Sequence, residues 1–229
     1  MTLISRLVAR MKIILHPASL ESDPFPPAEF DYWAAQYDAD VNKVGFPFTG
    51  YPQVLSETVR LADAEAGMTV LDLGAGTGNL AELFLKLGCE VWCTDFSNEM
   101  LALARVKMPE AHFILHDLRQ PFPPALLRHF DRIVSAYVFH HFELPEKINL
   151  VKSLITEFLN PNGRLVLADI SFPSHAARDR IRQAAGDQWD EEPYWIEKDA
   201  RQALGSAQSD VSYLQVSECA GIYLLRRKN

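Results

Sequence analysis

The sequence predicts an α/β fold: a doubly wound, mostly parallel sheet with helices on both faces. Three features carry that expectation. Short apolar runs alternate with segments of helical period from Thr69 to Ile170. The runs are continuously apolar instead of alternating, as strands are when helices cover both faces of a parallel sheet. The first run ends in an acid and a glycine-rich turn, "VLDLGAGTGNL" from Val70 to Leu80, which sets a loop of unusual backbone freedom between a strand and a helix.

Residues 1–29 read as an N-terminal extension and linker. Leu3, Ile4, Leu7, Val8, Met11, Ile14 and Leu15 fall on one helical face, with Arg6, Arg10 and Lys12 elsewhere and no acid before Glu21. That pattern suits either a transit peptide or an arm packed on the domain. Pro24, Pro26 and Pro27 mark extended chain, and a single domain is expected over 30–229. Pro52 stands in the first turn of a helix that buries Val54, Leu55, Thr58, Val59 and Ala62. The strand at Thr69 to Leu73 is followed by a helix bearing Leu80, Leu83, Phe84 and Leu87, stopped by Gly88. Glu90 to Thr94 is the second strand, and Ser97 caps the helix over Asn98 to Lys107. His112 to Leu115 and Phe130 to Tyr137 are the third and fourth strands. A helix with Ile148, Val151, Leu154, Ile155 and Phe158 inward then leads through "NPNGRLVLADI" into the fifth.

The bulk numbers narrow the partners. Lys and Arg total 22 against 30 Asp and Glu, a formal charge of -8, so a phosphate backbone is repelled on average and nucleic acid is not the expected substrate. Cys89, Cys93 and Cys219 are odd in number and lack a zinc-type spacing. They are expected as buried thiols in a reducing, cytoplasmic compartment, with no metal site. No apolar run approaches a membrane span.

The glycine turn points to a ligand beyond the carboxyl end of the first strand, where doubly wound sheets bind nucleotides. Asp95, at the end of the second strand, stands where an acid accepts from ribose hydroxyls, and it equally suits a cap. The spacing is G-x-G-x-G, with Asp72 just before it. A carboxylate there repels a pyrophosphate but receives an ammonium group, unless it serves only to order the turn.

At this point the chain resembles the class I S-adenosylmethionine-dependent methyltransferases. The likeness rests on "VLDLGAGTGNL", "VWCTDFSNEML", "ILHDLRQPFP", "FDRIVSAYVFHHF" and "LNPNGRLVLADISF", in the family's order over about Thr69 to Phe172. It is nearest to small bacterial methyltransferases of unassigned substrate that share a "FDYWAAQYD"-like entry and the double histidine. The resemblance implies a Rossmann-like sheet of about seven strands with the last antiparallel, a lid over 30–66 and a substrate cap over 174–205. It implies S-adenosyl-L-methionine as cofactor, with contacts at Tyr37, Asp72, Gly74, Ala75, Gly76, Asn79, Asp95, Phe96, Asp117, Leu118 and Ser135. The methionyl part is expected at Gly74 and Gly76, the ribose at Asp95 and the adenine at Asp117 and Leu118.

Methyl transfer is an in-line displacement that asks the protein to position an acceptor and exclude water. His140 or His141, at most one of them, is expected as a general base if the acceptor carries a proton; structural contacts are the alternative. Trp189, Tyr194 and Trp195, interleaved with Asp190, Glu191 and Glu192, either receive a cationic acceptor or anchor an acidic helix start. The expected function is methyl transfer to a small molecule. A non-catalytic binder of the same cofactor and an NAD-dependent oxidoreductase are the alternatives, the latter opposed by the glycine spacing and Asp72.

Overall fold

The computed structural model describes residues 26–205 and 209–228; the reading of the basic N-terminal segment and of most of the proline-rich linker lies outside them. Among the described residues, eight strands form the sheet: β1 (Thr69–Leu73), β2 (Glu90–Asp95), β3 (His112–Leu115), β4 (Phe130–Ala136), β5 (Leu159–Phe172), β6 (Trp195–Ile196), β7 (Ser209–Gln215) and β8 (Ala220–Arg227). Their order is β3-β2-β1-β4-β5-β8-β7, with β6 beside β5. The first five strands run parallel, and β8 is antiparallel to both β5 and β7. The strand order reverses between β1 and β4, which opens the crevice that such sheets use for ligands.

Helices cover both faces: α1 (Pro27–Asp40), α2 (Tyr51–Ala62), α3 (Ala81–Lys86), α4 (Asn98–Lys107), α5 (Leu144–Ser153), α6 (His175–Ala185) and α7 (Glu197–Gly205). The period-2 pleat divides the core accordingly. Val70 of β1 packs with Val54, Phe84 and Cys93 on one face, while Leu71 and Leu73 pack with Ile133, Val151 and Leu165 on the other. The three cysteines are buried free thiols.

Helix α1 begins at Pro27, inside the stretch read as linker, because proline in a first turn gives up an N–H that has no intrahelical partner and brings a helical φ. The expected sheet of about seven strands with the last antiparallel is found; β6, which adds to it beside β5, is only two residues long and too short for its period to be read.

One buried cation holds α2 to the sheet. Arg132 of β4 is 6% exposed and donates to the carbonyls of Ala62 (2.5 Å), Asp63 (2.7 Å) and Asp131 (2.8 Å), a positive charge at the negative end of the helix. Arg164 adds a bond to the Leu61 carbonyl at 3.0 Å. Truncating Arg132 leaves buried carbonyls without donors. Arg132→Met should therefore lower the unfolding free energy by about 3 kcal/mol in urea titration, and Arg132→Lys should recover part of that loss.

Candidate active site

The site is built where β1 and β2 end. After Leu73 the chain turns through Gly74, Gly76 and Gly78, with φ of 67°, 54° and 86°, a region in which a side chain is strained. The three glycines do different work. A Cβ on Gly74 would overlap Val138, and one on Gly78 would overlap the Met108 methyl, so these two permit tight packing; one on Gly76 would meet only Tyr37, at 3.9 Å. Ala75 donates to the Thr94 carbonyl at 2.8 Å, tying the turn to β2.

Two carboxylates stand at the strand ends. Asp72 is 1% exposed, and its Oδ2 has no hydrogen-bond partner. Burial first, and then the charge of Asp95, push its pKa well above the usual carboxylate range. Asp95 accepts from the Gly76 N–H at 2.8 Å through Oδ2 and from the Ser97 N–H at 2.9 Å through Oδ1. Burial still wins over these donors and lifts its pKa to about 6.

Helix α1 lies across the turn and is fixed at both ends by acids seven residues apart. Asp31 accepts from the Ser97 hydroxyl at 2.6 Å and the Glu99 N–H at 3.2 Å. Asp38 accepts from Thr77 (2.6 Å), Asn79 (2.9 Å) and Lys107 (2.7 Å). Partial burial opposes ionisation of Asp38, but its three donors outweigh it and hold the pKa below the usual range. Between the acids, Tyr37 is turned inward near Gly76 and meets Trp33 edge-on at 4.8 Å, while Phe30 packs on Phe96 at 4.8 Å.

The opposite wall comes from the ends of β4 and β5. Tyr137 has a φ of 59°, a strain of the kind found at functional sites, and its ring packs on Phe48 and Tyr51, each at 5.4 Å. His140 and His141 follow in a 3-10 turn. His140 Nδ1 meets Asp169 Oδ1 at 2.5 Å, and the Trp195 indole donates to the other oxygen of Asp169 at 2.9 Å. Phe46, Trp189 and Tyr194 pack together, Phe46 stacked on Trp189 at 5.0 Å and Trp189 edge-on to Tyr194 at 4.9 Å. Trp195 is 1% exposed and belongs to the core, whereas Trp189 and Tyr194 face the wall.

The profile of a methyltransferase domain matches residues 70–163, from β1 to the start of β5. An uncharacterized methyltransferase of Bacillus cytotoxicus is 33% identical over 162 residues, 68% of this chain and 72% of that protein. One of Geobacillus kaustophilus is 35% identical over 164 residues, again 68% and 72%. This chain belongs to the class I S-adenosylmethionine-dependent methyltransferases. Its fold matches that of magnesium protoporphyrin IX methyltransferase from Synechocystis, solved with bound SAH, with a TM-score of 0.68 at 20% identity over 86% of this chain and 97% of that one.

Some of the residues expected at the cofactor converge on the turn, and others also make contacts within the protein. Tyr37, Asp72, Gly76 and Asp95 converge there, and Phe96 supports the Asp95 end. The orphaned oxygen of Asp72 and the open face of Gly76 fit a cofactor that carries an ammonium group and no phosphate. Ser135 donates to the Leu73 carbonyl at 2.7 Å, joining β4 to β1. Asn79 serves the Asp38 contact and also reaches the Tyr51 hydroxyl at 3.3 Å. Asp117 grips the Arg119 guanidinium, with an Nη2 contact of 2.7 Å, and Leu118 packs against the second core cluster.

Asp31, Asp38, Lys107, Tyr51 and Tyr137 were not expected in the site. The sequence held a signal for the first two: Phe30-Asp31 and Tyr37-Asp38 repeat an aromatic-acid pair at a seven-residue interval, which puts both pairs on one helical face. Asp38→Ala should loosen α1. Hydrogen exchange over residues 30–40 should rise, and S-adenosylhomocysteine should dissociate about tenfold faster, the equivalent of roughly 1.4 kcal/mol of lost hydrogen bonding. Because the Asp38 pKa is depressed, the contact should persist above the ordinary carboxylate pKa and fail only as pH falls below it. Exchange unaltered by the substitution would mean that aromatic packing alone holds the helix.

Proposed function

We propose that this methyltransferase acts on a small-molecule acceptor held between α1 and the aromatic wall, with the cofactor's amino-acid end at Asp72, its ribose at Asp95 and its adenine beside Asp117 and Leu118. The cofactor supplies a methyl group activated by a positive sulfur. The chain's own residues bind, orient and keep water out. Asp72 offers its free oxygen to the ammonium, Asp95 accepts from the ribose hydroxyls, and Tyr37 closes the roof above Gly76.

The observation that carries the small-molecule reading is the attachment of α1 across the turn at Asp31 and Asp38. Facing it, Phe46, Trp189 and Tyr194 line the opposite side. A folded protein or nucleic acid would have to displace both. The formal charge of -8 adds repulsion toward nucleic acid.

This reading is tested by incubating the enzyme with methyl-labelled cofactor and a fractionated cell extract. Label is expected in the low-molecular-mass fraction; label confined to protein or RNA overturns the acceptor class, and no label in any fraction favours a binder without catalysis.

The raised Asp95 pKa gives a second test. The ribose hydroxyls donate to the ionised carboxylate, so a proton competes with the cofactor below pH 6. The Asp95 contribution to S-adenosylhomocysteine affinity should fall by up to about tenfold per pH unit below about 6. Asp95→Asn should remove that component of the pH dependence, leaving the one due to the raised Asp72 carboxyl, and weaken binding by roughly 1–3 kcal/mol. For folding of the free protein, the contribution of the same group is present below the ordinary carboxylate pKa and is lost as pH rises through about 6. A pH-independent affinity in the wild type would place the ribose elsewhere.

A further inference from the structure

A second cluster of chemically capable groups lies at the junction of the β4 turn and the segment after α6. His140 Nε2 stands 3.3 Å from Glu192 Oε2, and His141 Nδ1 stands 3.5 Å from the same oxygen. Despite that proximity, Glu192 Oε2 is buried and accepts no hydrogen bond. Two imidazole nitrogens therefore converge on one carboxylate oxygen without hydrogen-bond alignment.

The separations have a ready physical meaning. Zinc bonds to imidazole nitrogen and carboxylate oxygen are about 2.0–2.2 Å long, and in a tetrahedral site this sets neighbouring ligand atoms about 3.3–3.5 Å apart. All three ligand atoms here lie within 4.8 Å of one another. Behind them, Asp169 engages His140 Nδ1 at 2.5 Å; with Nδ1–H donating to Asp169, a neutral His140 would present its Nε2 lone pair toward Glu192, whereas without an ion the two flanking carboxylates favour the charged imidazolium. A carboxylate behind a ligating histidine is the usual outer partner in such sites. The Trp195 indole holds Asp169 in turn.

The nearby cation does not fill the position. Lys147 Nζ is directed to the Pro193 carbonyl and lies 4.5 Å from the Trp195 ring centre. Glu192, Lys147, Trp189 and Tyr194 also line a cleft of about 240 Å³ beside the cluster.

We infer that His140, His141 and Glu192 form a binding site for one divalent ion of the zinc type, with Asp169 as the positioning residue for His140. The inference is independent of which acceptor the enzyme methylates and replaces the sequence-based expectation of no metal site. It also gives the double histidine a joint task, which adjacent residues directed at one carboxylate can perform and a single general base does not need. A bound ion would clamp the 189–194 segment to the end of β4.

The test uses tag-free, full-length protein treated with chelator and desalted. Titration calorimetry with Zn²⁺ should give one ion per chain, and Co²⁺ should show the visible d–d absorption of a low-coordinate nitrogen and oxygen site. Glu192→Gln, close in shape to the native side chain, should weaken Zn²⁺ binding at least a hundredfold. Asp169→Asn should weaken it about 10–100-fold. Circular dichroism verifies that each variant is folded, and His141→Asn supplies a second ligand deletion if one variant is not. Absence of stoichiometric binding in the wild type, or binding that survives both Glu192→Gln and His141→Asn, overturns the inference and leaves the three side chains as a network shared by a proton.

Discussion

Asp72 and Asp95 end neighbouring parallel strands inside the protein, and their mutual repulsion in a poorly solvated place is the constraint around which the site is arranged. Each is only marginally supplied by the chain: one has the N–H groups of the glycine turn and of the Ser97 cap, and the other has an oxygen with nothing attached. Such an arrangement is costly in the free protein. On the proposed placement of the cofactor, a cation and a pair of hydroxyl donors arriving together would relieve that cost, and a pyrophosphate would not.

Much of this was legible in the chain. The apolar runs gave β1 to β5 their places because buried parallel strands leave an unbroken hydrophobic signature, and Ser97 gave away its helix because a cap needs a short side-chain acceptor at that position. The long-range contacts were not legible. Ser135 reads as a polar residue at a strand end, and only the three-dimensional register shows that its hydroxyl is spent on the Leu73 carbonyl. Trp195 looked like a companion of Trp189, yet two residues of pairing with β5 draw it into the core. Glu192 sat in an acidic run that suggested a solvated helix start, and nothing local says that its carboxylate turns toward two histidines.

The glycines show the same division. Their density announced a turn that excludes side chains, but not what would fill the space. Two of the three are occupied by the protein itself, Gly74 by Val138 and Gly78 by Met108. Of the three, Gly76, beneath Tyr37, is the one whose face the protein leaves open, and the other two make the turn stiff by packing it between the β4 turn and α4. Rigidity at that point is useful, since a loop that presents N–H groups must not relax toward water when the ligand leaves.

The two walls of the site differ in how they are attached. The cap joins the sheet through main-chain pairing of Ser171 and Phe172 with Trp195 and Ile196, whereas α1 is secured through the side chains of Asp31 and Asp38. One wall is thus held by backbone pairing and the other by two carboxylates. On the proposed placement of acceptor and cofactor, side chains on the first could be exchanged without disturbing the anchors of the second, a separation of duties by which one scaffold could serve many substrates.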